Sequence, residues 1–228
     1  MKKLFLLICL FYIPVFVFAE EDNEVDNILG LANNAKSAIM IEACTGKVLF
    51  EKNADEQLPM ASMTKMMTML LVMENIESGY LKWDEMITAS EYASSMGGSQ
   101  IFLEAGEVMS VRDLVKGIAI ASGNDAAVAM AERIGGTEVE FVKMMNEKAR
   151  ELGLENTSFR NACGLDSDNH YSSARDMAII ARELVKYDEI LEYTGTYEDY
   201  LRKDTDNSFW LVNTNKLVYK NYYSEKLL

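Results

Sequence analysis

Between Met66 and Met73 the chain reads Met-Met-Thr-Met-Leu-Leu-Val-Met, apolar at every position but Thr68. At 3.6 residues per turn a helix through this run has no polar face to offer water, so it must sit at the centre of a fold. The spacing predicts that helix between Pro59 and Gly79. Six of the fifteen methionines fall between Met60 and Met73, and their unbranched, polarizable side chains suit them to filling an irregular core. A central helix needs a shell, and 228 residues with 49% hydrophobic content are enough for one domain that supplies it.

The shell is legible in outline. Ser37–Ile41 and Lys47–Phe50, joined through Thr45-Gly46, read as a hairpin. Three helices announce their starts: Ser110 with Asp113, Thr137 with Glu140, and Ser173 with Asp176. Each pairs a capping hydroxyl with a carboxylate three residues on that can return the hydrogen bond. Gly153 closes the helix begun at Thr137. Tyr197–Arg202 and Phe209–Val212 read as strands around the polar turn 203–207. The order is strand pair, helical middle, strands again. It predicts an α/β (α+β) architecture in which a helical cluster packs on an antiparallel sheet shared by the N- and C-terminal strands.

Charge narrows the partners. With 22 basic against 36 acidic residues and a net charge of −14, the chain has no positive field for phosphate, which argues against nucleic acid. Its one histidine, His170, excludes a multi-histidine zinc site within a single chain, and no metal or other cofactor is expected. Residues 1–19 have a basic start at Lys2-Lys3, an apolar run from Leu4 to Phe18, and Val17-Phe18-Ala19 before the acidic Glu20-Glu21-Asp22. This is the pattern of a secretory signal peptide and predicts an extracytoplasmic protein. The alternative, an uncleaved anchor, is disfavoured because the run is shorter than the ~20 residues that span a bilayer. Without that segment 20 basic residues face 36 acidic ones, a net of −16. The expected layout is a signal peptide over 1–19, a lead-in over 20–34 and a catalytic domain over 35–228. Cys44 and Cys163, 119 positions apart, read as two separate buried thiols.

Ser62-Met63-Thr64-Lys65 stands at the mouth of the apolar helix. Spacing i, i+3 brings hydroxyl and ammonium to one face. Among Met60, Met63, Met66 and Met67 the lysine loses hydration, which lowers its pKa toward a range where the neutral amine can take a serine proton. A serine beside such a base is equipped for acyl transfer. The pattern alone is weak, since Ser-x-x-Lys arises about once by chance in a chain this long when each type is ~6% of residues. A second pairing, Ser122-Gly123-Asn124, lies between Ile118–Ala121 and a helix over 125–133. It can relay a proton and hold an amide, or it can be a plain turn with Gly123 as the break and Asn124 as a cap. Ser167-Asp168-Asn169 matches the same Ser-x-Asn spacing but lies in a polar loop, where an Asx-type turn accounts for it.

Four ordered blocks carry a resemblance. They are Leu58–Thr68; Ala121–Ala127; Gly164-Leu165-Asp166 with His170–Asp176; and Asn213–Leu217. Together they resemble the serine D-alanyl-D-alanine carboxypeptidases, the low-molecular-mass penicillin-binding proteins, from about Ala35 to Val218. The resemblance implies the penicillin-binding-protein and β-lactamase-like transpeptidase fold. It also implies an enzyme that removes the terminal D-alanine of peptidoglycan stem peptides. Ser62 would be acylated, Lys65 would act as general base, and Ser122 and Asn124 would assist proton transfer and substrate placement. β-Lactams would acylate the same serine. His170 is implied to be structural.

The family's third motif, Lys-Thr-Gly on a strand beside the nucleophile, is not found after Asn213–Leu217. That strand supplies one oxyanion donor, whose loss typically costs ~10²–10³ in rate, and the strands around it complete the sheet. The expectation is therefore a carboxypeptidase domain incomplete at its C-terminal strands, impaired in activity and without the family's membrane anchor. The alternatives are a non-catalytic peptidoglycan- or penicillin-binding remnant and a class A β-lactamase. The last needs a glutamate in a proline-containing loop, and Pro59 is the only proline after the signal segment.

Overall fold

The computed structural model describes residues 31–218. The signal segment 1–19, most of the lead-in and residues 219–228 lie outside the described residues. In chain order the elements are β1 (Ala38–Ile41), β2 (Val48–Lys52), α1 (Thr64–Glu77), β3 (Met86–Thr88), α2 (Glu91–Ser94), β4 (Val108–Ser110) and α3 (Val111–Ala121). They continue with α4 (Asn124–Gly135), α5 (Glu138–Glu151), α6 (Ala174–Leu184), α7 (Asp188–Gly195), β5 (Glu198–Leu201) and β6 (Phe209–Val212).

The run that opened the sequence reading is α1, buried continuously from Met67 to Met73. Helices α3, α4, α5 and α6 all pack on it, so the absence of a polar face is answered by neighbours on several sides. α4 is nearly as enclosed: Ala126 to Ala131 are all buried, and small alanines let its backbone come close to α1 and α3. α5 instead alternates buried Phe141, Met145 and Ala149 with exposed polar positions, and α6 alternates buried Met177, Ile180 and Leu184 with half-buried ones.

All three capping hydroxyls work as expected. Ser110, Thr137 and Ser173 accept from the backbone N–H of Asp113, Glu140 and Asp176 at 3.1, 3.2 and 3.2 Å. The carboxylates do not return the bond. Asp113 accepts from the Ser110 hydroxyl, Glu140 pairs with Lys143, and Asp176 is taken by the Asn156 N–H and the Thr157 hydroxyl. Stronger or better-placed donors outcompete the reciprocal contact. α5 ends in a Schellman pair, with the Gly153 N–H on the Arg150 carbonyl and the Leu154 N–H on the Ala149 carbonyl; Gly153 takes φ +71° to allow it.

Strands form three separate antiparallel pairs among the described residues, β1–β2, β3–β4 and β5–β6. This corrects the expectation of one sheet shared by the N- and C-terminal strands. β1 lies on α6, whereas β5 and β6 lie on α3, where Leu201 and Leu211 are buried. The hairpins serve different helices and do not meet. A groove of about 380 Å³ runs between β1 and α6, lined by Ile39, Leu58, Met60, Met63, Met66 and Met177 among others. No helix of the described residues is long and apolar enough to cross a membrane.

Candidate active site

The chain reaches α1 through a tight turn. Leu58 exchanges backbone hydrogen bonds with Ser172 at 2.8 and 3.1 Å, Ala61 takes φ +46°, and Ala61–Met63 form one turn of 3-10 helix before α1 begins. Ser62 therefore stands on a lead-in turn, exposed, and not inside the α-helix. The loop at Gly164 seats directly on this turn. Gly164 has φ +89°, and a Cβ there would fall 1.9 Å from the Ala61 carbonyl oxygen and 3.0 Å from the Ser62 nitrogen. Only glycine permits so close an approach.

Lys65 lies in the first turn of α1 and is 2% exposed. Its ammonium donates to Ser62 Oγ at 3.1 Å and to the Cys163 carbonyl at 2.6 Å. One turn on, Thr68 donates to the Ala162 carbonyl at 2.6 Å. Burial strips hydration from Lys65 and brings its pKa down to about 8, against the opposing pull of the Cys163 side chain and the Asp125 carboxylate. At neutral pH the free amine is then a sizeable minority species, where an exposed lysine keeps less than about one molecule in 10³ unprotonated. An amine of this kind bonded to a hydroxyl is able to take its proton.

Ser122-Gly123-Asn124 joins α3 to α4 as a helix-to-helix junction, and within it the expected cap at Asn124 is not formed. The residue in the left-handed conformation is Ser122, at φ +59°, while Gly123 keeps a negative φ. Space at Gly123 is tight instead, since a Cβ would lie 3.1 Å from Asp125 Oδ1 and 3.2 Å from Ile101. Asn124 does not cap its helix. Its Nδ2 donates to the Gly97 carbonyl at 2.6 Å, its backbone N–H donates to the Ser99 carbonyl at 2.7 Å, and its buried Oδ1 has no partner. The next residue, Asp125, is fully buried and accepts backbone N–H bonds from Ile101, Leu103 and Ala126 at 2.9 to 3.1 Å. The 97–103 loop is thus bound to the start of α4.

His170 has a structural place. Its Nδ1 accepts from the Arg160 N–H at 2.9 Å, which leaves Nε2–H to donate to Thr64 Oγ1 at 2.7 Å. Burial and the Arg160 charge both push its pKa below the usual 6.5, keeping the ring neutral. Ser167-Asp168-Asn169 is an exposed loop, with the His170 N–H returning to the Ser167 carbonyl. Both cysteines of the described residues are free, and only Cys163 is buried, while Cys44 is exposed in the β1–β2 turn, which corrects the expectation of two buried thiols. Among the described residues no group of three or more His, Cys, Asp or Glu is placed to hold a metal ion.

The motif reading missed the backbone partners of Lys65 and the residues that fix them. Asn161, two positions before Cys163, turns its side chain onto that loop. The one available signal was an asparagine shortly before a glycine, which is common in any turn.

Ser62 and the buried Lys65 at the start of a core helix, joined by a 3.1 Å hydrogen bond, form a nucleophile-and-base pair of the kind serine acyl transfer uses, and the Ser122-Gly123-Asn124 junction joins α3 and α4, which both pack on that helix. A D-alanyl-D-alanine carboxypeptidase family profile (peptidase S11) matches residues 23–227, and the chain belongs to that family. It is 61% identical over 201 residues to D-alanyl-D-alanine carboxypeptidase DacF of Bacillus subtilis, covering 88% of this chain and 51% of that protein. It is 35% identical over 216 residues to DacC of Escherichia coli, covering 92% and 52%. Among solved structures it is similar to DacD of Francisella tularensis, with a TM-score of 0.77 and 32% identity over 83% of this chain and 57% of that one. Penicillin binding protein 6B of Escherichia coli gives a TM-score of 0.76 at 33% identity, covering 82% and 59%. The chain spans about half the length of the curated relatives it matches. The fold expectation is met in these neighbours.

Proposed function

We propose that the chain is a serine D-alanyl-D-alanine carboxypeptidase acting outside the cytoplasmic membrane on peptidoglycan stem peptides that end in D-Ala-D-Ala. The observation that carries this reading is the buried Lys65 ammonium bonded to Ser62 Oγ at 3.1 Å. Ser62 Oγ attacks the carbonyl of the penultimate D-alanine as its proton passes to Lys65 Nζ. The C–N bond to the terminal D-alanine then breaks, the proton leaves on the departing amine, and water hydrolyses the ester on Ser62. Ser122 is placed in this reading as the proton relay. Asn124 is placed on the substrate, because its unpartnered Oδ1 is a ready acceptor for an amide N–H. β-Lactams acylate the same serine. The location rests on the family and on the signal-peptide pattern of residues 1–19.

Incubation with a fluorescent penicillin, with the adduct mapped by mass spectrometry, tests the reading. A covalent adduct on Ser62 that is lost in Ser62→Ala is expected, forming faster as pH rises through about 8 because the neutral Lys65 amine is the active form. An adduct elsewhere, or none after prolonged incubation, overturns it. Binding of a stem peptide with no release of D-alanine replaces the enzyme by a binding protein.

A further inference from the structure

Lys65 and Ser62 are both held by one short stretch, residues 161–165; Thr68 and Glu138 anchor it at Ala162, and within it the turn at 163–165 is folded by one side chain. Asn161 Oδ1 accepts the backbone N–H of Gly164 at 2.6 Å and of Cys163 at 3.2 Å, while its Nδ2 donates to the Leu165 carbonyl at 2.7 Å. The peptide so folded presents the Cys163 carbonyl to the Lys65 ammonium at 2.6 Å. It also brings Gly164 into backbone contact with Ala61 and Ser62, with no room for a Cβ between them. Asparagine suits this task because a single planar amide offers an acceptor to two N–H groups and a donor to a carbonyl.

We propose that Asn161 is a positioning residue, fixing the Cys163 carbonyl and the Gly164 peptide against Lys65 and Ser62 so that base and nucleophile keep their register. The proposal rests on the reading of Lys65 as the base. Asn161 touches neither reacting group. It acts through backbone, which explains why no motif built from catalytic side chains contains it. Its loss frees the loop to lift from Lys65 and admit water, returning the amine toward its ordinary, protonated state.

The test follows the Lys65 side chain directly by NMR of protein carrying ¹³C-labelled lysine, its signal assigned by disappearance in Lys65→Met. The titratable groups that act on this amine are the Cys163 thiol and Asp125, and both are retained in every other variant. In Asn161→Ala the titration midpoint is expected to rise by a unit or more from about 8 toward the ordinary 10.5. Asn146→Ala is the matched control. Asn146 binds the Phe159 backbone, just before the same loop, without contacting residues 161–165, so its loss should lower stability and leave the midpoint in place. Should Asn161→Ala not fold, Asn161→Ser, which keeps one acceptor, is expected to shift the midpoint in the same direction by less. An unshifted midpoint in the folded Asn161 variant, or an equal shift in Asn146→Ala, overturns the proposal. The readout needs no turnover. A wild-type chain that fails to react with penicillin would therefore refute the function while leaving this test intact.

Discussion

The starts of α1 and α4 carry the two sequence motifs, Ser62–Lys65 and Ser122–Asn124, and they are finished differently. At α1 every polar group has a partner within the chain: Lys65 has Ser62 and the Cys163 carbonyl, Thr64 has His170, and Thr68 has the Ala162 carbonyl. At α4 the chain leaves two features unresolved, a serine held at φ +59° and a buried carbonyl oxygen with no donor. A buried carbonyl oxygen without a donor in the chain is a place where water or a bound molecule can complete the hydrogen bonding. Both starts hold a non-glycine residue at positive φ, Ala61 at +46° and Ser122 at +59°, and the difference between them is the buried Asn124 oxygen, which has no partner within the chain.

Substitutions that separate the two sides can break this contrast. Gly164→Ala should have the largest effect, a loss of about 3 kcal/mol or more or outright failure to fold, because it combines a positive φ with overlap against backbone. Urea denaturation reads it, and a cost below about 1 kcal/mol would mean that the loop is not clamped on the Ser62 turn. Asn124→Ala should split stability from reaction. Only the Gly97 bond is lost in the free protein, about 1 kcal/mol, whereas the rate of penicillin labelling should fall at least about tenfold. A larger drop in stability than in labelling would move Asn124 to the structural side. Ser122→Gly should stabilise by up to about 1 kcal/mol as the left-handed strain is relieved, with slower labelling if the hydroxyl is a relay.

The smallest effect concerns pH. His170 titrates below 6.5 in the fold, so the unfolded chain binds the proton first as pH falls. The stability that the neutral ring contributes is therefore complete above about 6.5 and is lost as pH drops through the lowered value. Urea midpoints taken between pH 7.5 and 5 should decline in the wild type and decline less in His170→Gln, which cannot charge. Equal slopes would deny the ring a part in closing the α1 side.

Much of the α1 side could be read from the sequence because side chains specify it. An unbroken apolar run has one place to go, and a lysine at its mouth must be buried with it. The strands expected over Tyr197–Arg202 and Phe209–Val212 were visible because a polar turn separates them, and they form as β5 (Glu198–Leu201) and β6 (Phe209–Val212). What stayed hidden depends on backbone. The β3–β4 pair consists of Met86–Thr88 and Val108–Ser110, strands too short to show a period. The separation of the hairpins onto α6 and α3 is decided by packing between elements distant in sequence. The unpartnered Asn124 oxygen and the Asn161 contacts arise from where loops pass, and a Ser-x-Asn spacing at 167–169 looks the same on paper as the one at 122–124.

The contact between Gly164 and the Ala61–Ser62 peptide bears on how this chain can change over time. A crowded pair of side chains can be repaired by shrinking one when the other grows. Here one of the partners is main chain, which no substitution makes smaller. Position 164 is therefore closed to compensating pairs of side-chain mutations.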